Sequence, residues 1–252
     1  NNITKSNPAP TSVRPEMLPS PDLSDLSLKS YLNPVPVVPV LFSRGCKWRK
    51  CRFCSHNFSF SGYRKHSFEC FVNTLSYYKL QNGISMFYIA DQYISAEDLL
   101  GISEEILRQN LDIRFHVMGR PSNDYSPKVL ETAFAAGCRW ISWGAETFSS
   151  RLLDICNKGT NPTDIVQVLK NSKKAGISNL AMMIFGLPGS NDFELQQTLD
   201  TASNVSDVVD AFTSSCFQLF EHTPFFKRAE EFGLIPEERE TLFIVSGKPV
   251  HS

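Results

Sequence analysis

SRGCKWRKCRFCSH, residues 43–56, places three cysteines within nine positions, threads five basic residues among them (Arg44, Lys47, Arg49, Lys50 and Arg52), and ends without a fourth cysteine. It directly follows the apolar run VVPVLFS (37–43), which has the look of a strand, so the cysteines sit on a loop leaving a strand end. Closely spaced thiolates on such a loop suit a soft metal or an iron–sulfur cluster. A structural zinc site wants four protein ligands, and His56 or His66 offers a fourth, but zinc sites usually come as two ligand pairs and no second CxxC follows. Three thiolates alone fit a cubane cluster with one iron left open to a small molecule. The residues keep both readings in play and favour the open cluster.

The rest of the chain sets the surroundings of that loop. Its 252 residues are enough for one large domain or two small ones, and folding would bury roughly 70 to 75% of the unfolded surface. Hydrophobic residues at 42% and charged residues at 20% describe an ordinary globular chain, and a net charge of −1 argues against bulk electrostatic binding of nucleic acid. No stretch reads as a membrane span or signal peptide, and the apolar run PVPVVPVLF is short and broken by three prolines. Seven cysteines, clustered once (46, 51, 54) and then scattered (70, 138, 156, 216), do not form a disulfide framework. That usage points to a reducing, cytoplasmic setting, in which the sequons at Asn2, Asn57 and Asn204 are chance matches.

Outward from the loop, short apolar runs alternate with segments of helical period. Strands are expected at 37–43, 85–90, 113–119, 139–144, 179–186 and 213–220. Helices are expected at about 67–81, 95–109, 126–136, 149–156, 162–175, 191–205 and 224–232. Ser95 with Asp98 opens one helix, and Gly137 and Gly176 close two others. Strands each followed by a helix imply a parallel sheet, either open and doubly wound or a full or partial barrel, with ligand chemistry at the strands' carboxyl ends. Those ends carry Asp91 (IADQYIS), Arg120 (GRPSND), Glu146 (GAET) and the glycines of GLPGSND. Each alone reads as a cap or a turn; together they surround one rim beside the cysteines.

On these segments the chain resembles the radical S-adenosylmethionine (SAM) enzymes, in particular the branch whose members often carry a cobalamin-binding domain ahead of the radical domain. The likeness runs from about Pro21 to about Leu234. It is carried by SRGCKWRKCRFCSH, GAETFSSRLLDICNKGT, KKAGISNLAMMIFGLPGSNDFE and LFEHTPFFKRAEEFGL, in the family's order. The departure is C-x4-C-x2-C, four residues in place of the family's usual three between the first two cysteines. The resemblance implies a partial (β/α)6 TIM-like barrel in which Cys46, Cys51 and Cys54 hold a 4Fe-4S cluster whose open iron takes SAM. Reductive cleavage then gives a 5′-deoxyadenosyl radical that abstracts hydrogen from a substrate. It further implies that Phe53 packs near the adenine, Asp91 meets the methionine amine, Arg120 pairs with the carboxylate, Glu146 bonds the ribose or methionine end, and Gly186, Leu187 and Gly189 offer backbone to the adenine.

Residues 1–36, rich in Pro, Ser and Asn, read as a linker and lead-in segment, 37–235 as the radical SAM core, and 236–252 as the start of a truncated C-terminal extension. A fragment is therefore expected, with cobalamin dependence and methyl transfer belonging to a parent protein. Expected partners are a flavodoxin- or ferredoxin-type electron donor, drawn to the basic loop, and a small-molecule or peptide substrate. Arg151 and Lys158 are expected in surface salt bridges, Trp48, Trp140 and Trp143 in packing, and Cys70, Cys138, Cys156 and Cys216 as core filler. The rival reading is a non-catalytic zinc or iron–sulfur protein whose cysteines only hold a loop.

Overall fold

The computed structural model describes residues 13–59 and 62–234, together with the backbone of a two-residue antiparallel pair, Ile244–Val245 with Lys248–Pro249. The Asn2 sequon and the remainder of segment 236–252 lie outside the described residues. Six parallel strands form one sheet: β1 (Val37–Val40), β2 (Met86–Ile89), β3 (Arg114–Gly119), β4 (Cys138–Glu146), β5 (Ser178–Phe185) and β6 (Ala211–Cys216). Between them run α1 (Phe68–Asn82), α2 (Ala96–Arg108), α3 (Pro127–Ala135), α4 (Ser150–Ile155), α5 (Pro162–Lys174) and α6 (Asp192–Asn204). Spatial order equals chain order, β1 through β6. A doubly wound sheet would reverse that order at a switch point; here it never reverses and β1 does not pair with β6, so the sheet is a partial barrel. No described helix is long and apolar enough to cross a membrane.

Alternation along the strands divides the sheet into two faces. Phe87, Ile89, Phe115, Val117, Ile141 and Trp143 are buried with helix residues such as Leu75, Leu99, Leu130 and Leu169 in one core. Tyr88, His116, Met118 and Met182, on the opposite face, are only half-buried. Side-chain oxygens of Ser67, Ser95, Ser126, Ser149, Asn161 and Asn191 accept from the first-turn amides of α1 through α6, each cap worth about 1 kcal/mol. These caps place every helix start just past a strand's carboxyl end or its loop.

Some boundaries differ from the sequence reading. β1 stops at Val40, because the chain turns away to pair Ser43–Arg44 with Arg64–Lys65. β6 runs Ala211–Cys216 and then bends toward Phe225, and the expected helix at 224–232 splits into Pro224–Lys227 and a tighter turn at Glu230–Phe232. Cys138 and Cys156 are buried as expected, but Cys70 is half-buried and Cys216 is exposed, because β6 is an uncovered edge strand.

The half-buried face carries a titrating imidazole. His116 Nε2 lies 2.9 Å from Ser142 Oγ and its ring stacks on Tyr88 with 4.8 Å between centroids. Burial pushes the imidazole down to about 4 from 6.5. A base with a depressed folded value binds more protons when unfolded, so its contribution is complete above pH 6.5 and is lost as pH falls toward 4. Acidification from pH 7 to 4.5 is therefore expected to lower the Tm of the native chain more than that of His116→Gln; equal losses would contradict this. Gly137, between α3 and β4, has φ +106°, and a Cβ there would lie 2.1 Å from the Ile113 carbonyl oxygen. Gly137→Ala should cost about 2–4 kcal/mol in urea unfolding, combining a forbidden φ with a backbone clash.

Candidate functional site

The cysteine loop is tied at both ends before any ligand is considered. Its outgoing and returning strands pair at Ser43–Lys65 and Arg44–Arg64. Asp91, just past β2, is fully buried and accepts from Phe42 N at 2.9 Å, from Ser43 N at 2.6 Å and from the Ser43 hydroxyl. Burial pushes its carboxyl up to about 6 against the pull of those donors. At the returning end, buried Asp98 accepts from Lys65 Nζ at 2.6 Å and Tyr63 Oη at 2.8 Å. Burial works against its charge, but Lys65, Ser95 and Tyr63 together hold the carboxyl below its usual range.

The middle of the loop docks on the end of α4. The last carbonyls of a helix have no partner inside it, and here the loop supplies them: Arg52 N to Cys156 O at 2.8 Å, Arg52 Nη1 to Ile155 O at 2.8 Å, and Trp48 Nε1 to Asn157 O at 3.0 Å. Asn57 Nδ2 closes the loop on itself through Cys51 O at 3.2 Å. Cys46, Cys51 and Cys54 are free, half-buried thiols. Burial pushes Cys51 up to about 11, with Lys158 partly offsetting it, and raises Cys54 despite backbone N–H donors from His56 and Asn57. A positive centre is what would turn these thiols into thiolates at neutral pH.

Beside the thiols lies a buried charged group. Glu146, last residue of β4, sits at φ +64° and accepts from Lys158 Nζ at 2.5 Å, with both side chains about nine-tenths buried. The pair lies against bare backbone, since a Cβ on Gly144 would come within 2.8 Å of both Glu146 Oε1 and Lys158 Nζ. Burial alone would lower the Lys158 value, but Glu146 and Cys51 hold it above 10.5. Arg120, after β3, is 8% exposed, donates to Gly159 O at 2.6 Å, and holds its guanidinium 4.2 Å from the Trp48 ring centroid. Its Nε is buried with no partner.

Phe53 joins this group to the β5 turn. Lys158 Nζ stands 5.8 Å from its ring centroid, and the ring packs with Leu152, Cys156, Leu187 and Phe225 in a second apolar cluster. Gly186 and Gly189 both have positive φ, and Gly186 and Leu187 border a cavity of about 210 Å³ with Thr147, Leu152 and Asn191.

Thus Cys51, Cys54, Glu146 and Phe53 meet around Lys158, and Leu187 is reached through Phe53, while Asp91 turns both carboxylate oxygens onto the backbone of the loop's take-off. Arg151 forms the expected partly exposed bridge, to Glu194, but Lys158 is corrected from a surface residue to a buried one. Nothing local in NKGT distinguishes such a lysine; only the approach of β4 creates its partner. His66 lies 3.8 Å from Cys70 Sγ, and among the described residues no group of three or more His, Cys, Asp or Glu converges on a single ion.

Comparison with known proteins gives the same fold a lineage. The family model described as the Radical SAM superfamily matches residues 40–202. An uncharacterized methyltransferase of Pyrococcus horikoshii is 29% identical over 202 residues, covering 79% of this chain and 44% of the relative. Among solved structures, the radical S-adenosylmethionine methyltransferase TsrM from Kitasatospora setae, with cobalamin and a 4Fe-4S cluster bound, superposes with a TM-score of 0.67 at 20% identity, over 77% of this chain and 37% of that one. The cobalamin-dependent S-adenosylmethionine radical enzyme OxsB gives a TM-score of 0.60 at 21% identity, over 77% and 30%. At such identities the superpositions show the fold. The chain spans less than half the length of these relatives.

The buried pair gives a stability test. Lys158→Met strands the Glu146 carboxylate and should cost about 3–5 kcal/mol, most of it restored in the Glu146→Gln/Lys158→Met double variant. Because the folded Lys158 value lies above its unfolded one, this contribution is complete below about pH 10.5 and lost only as pH rises past the folded value. Additive losses in urea unfolding would show that the two side chains do not act as a pair.

Proposed function

Because this chain belongs to the radical SAM superfamily, we propose that residues 37–235 are a catalytic core that holds a 4Fe-4S cluster on Cys46, Cys51 and Cys54 and binds SAM beside it. The observation that carries this reading is the set of three half-buried thiols on a loop fixed at both ends, next to a buried guanidinium with one N–H unused. The unpaired Nε–H of Arg120 matches an anionic group such as an amino-acid carboxylate. When bound, cluster and SAM supply a reductively generated 5′-deoxyadenosyl radical for hydrogen abstraction.

The chain's own residues then bind, orient and exclude. Arg120 takes the methionine carboxylate. Glu146, one oxygen committed to Lys158, presents the other to the ribose or methionine end. Phe53 packs against the adenine, and Gly186, Leu187 and Gly189 offer their backbone to it. Asp91 acts by anchoring the loop. The exposed cations Lys47, Arg49 and Lys50 face an acidic electron donor of flavodoxin or ferredoxin type. The methyltransferase name of the Pyrococcus relative and the likeness to two cobalamin-dependent enzymes favour methyl transfer to a small molecule or peptide as the whole protein's reaction.

Anaerobic reconstitution should give about four irons and four sulfides per chain and reductant-dependent 5′-deoxyadenosine. Cys51→Ala should abolish that product. Stoichiometric zinc with no SAM cleavage would overturn the proposal in favour of a structural metal loop.

A further inference from the structure

The four residues between Cys46 and Cys51, KWRK, leave room for an element that a bare metal loop does not require. Directly after Trp48 the chain passes through Arg49 at φ +52°, a left-handed kink on a non-glycine residue. Such a conformation persists where surrounding contacts enforce it. Arg49 itself donates from Nη2 to Asn57 O at 3.2 Å, and its neighbour Trp48 is held by further contacts. Its Nε1–H donates to Asn157 O at 3.0 Å. Its ring lies so close to Gly159 that a Cβ on that residue would fall 2.1 Å from Trp48 Cζ2. Its face carries the Arg120 guanidinium at 4.2 Å and Lys50 Nζ at 4.7 Å.

Arg120 is held by several partners at once: Lys158 O lies 3.4 Å from Nη1, and Tyr93 hydrogen-bonds the guanidinium with its ring centroid 5.9 Å away. Gly159 O takes Nη1 at 2.6 Å and the indole takes the guanidinium plane, while Nε stays buried and unpaired. A guanidinium fixed by hydrogen bonds alone would be drawn to every acceptor nearby; the indole face occupies its plane without consuming an N–H. Filling space would not need a large aromatic over a glycine and under a guanidinium, one residue before a left-handed kink.

We propose that Trp48 is a positioning residue that acts through Arg120, holding the guanidinium so that its Nε–H is free for the carboxylate of SAM. This rests on the reading that the loop holds a cluster and the chain binds SAM. The KWRK spacing then has a purpose: it delivers the indole from within the cysteine loop, so that the metal loop and the carboxylate contact are set by one rigid body.

The test compares SAM with decarboxylated SAM, which lacks only the carboxylate, by equilibrium dialysis against the anaerobically reconstituted chain, with Kd per loaded cluster. Trp48→Leu should weaken SAM roughly tenfold, the scale of a desolvated cation–π contact, and leave decarboxylated SAM unchanged. Trp48→Phe, which keeps the ring face, should stay within about threefold of the native chain. The Trp48→Leu/Arg120→Lys double variant should be no weaker for SAM than the weaker single variant. Equal weakening of both ligands in Trp48→Phe or Trp48→Leu would overturn the inference, as would a native chain that does not discriminate between them. A native chain that loads iron but binds neither ligand would instead remove the SAM reading itself.

Discussion

The last carbonyls of α4 are the constraint on which the site depends. A helix of six residues, Ser150–Ile155, leaves carbonyls at 155, 156 and 157 facing outward with no continuing turn. Arg52 and Trp48 answer all three from within the cysteine loop. The same turn then presents Lys158 to Glu146 and Gly159 O to Arg120. One helix terminus therefore fixes the position of the loop, the buried ion pair and the guanidinium together. The loop's other ties, Phe225 N to Arg52 O at 3.2 Å and Lys47 Nζ to Glu97 at 2.7 Å, secure it from further sides.

Besides Glu194, which meets Arg151 of α4, the described residues hold three buried carboxylates in three ways. Asp91 is met by backbone amides and a hydroxyl, Asp98 by an ammonium and a phenol, and Glu146 by a buried ammonium. Each arrangement offsets the desolvation of a charge, and each holds a part of the loop or rim in place. Burial is what makes these contacts rigid: with water excluded, no alternative partner competes for Asp91 or Lys158. The same exclusion raises Cys51 and Cys54, so a positive centre held there would be what draws both into the thiolate form.

The sheet carries this arrangement without taking part in it. Phe87, Val117, Ile141 and Trp143 pack outward against helices, and the strand order never reverses, so all six carboxyl ends emerge at one rim. Short spacers then hold the chemistry: Asp91 lies two residues past β2, Arg120 one past β3, and Glu146 is the final residue of β4. The β5 turn is reached through Phe53 and Leu187 in a separate apolar cluster, which couples the loop to the far side of the rim by packing alone.

The alternation of apolar runs with helical segments was enough to state a parallel α/β sheet, because periods of 2 and 3.6 are written directly into residue order. The Ser95 cap before α2 was legible for the same local reason, and so was the set Cys46, Cys51 and Cys54, whose chemistry lies in its spacing. Boundaries near residues 41–44 and 217–232 were misread, since the pairing of Ser43 with Lys65 and the bend toward Phe225 depend on distant partners. Lys158 looked like a surface residue and Trp48 like filler for that reason too. Charge burial and cation stacking are properties of segments far apart in sequence that share one volume, so the sequence determined the sheet and the thiol loop, and only the tertiary structure decided which cation was buried, which carboxylate was committed to backbone, and which N–H of Arg120 was left free.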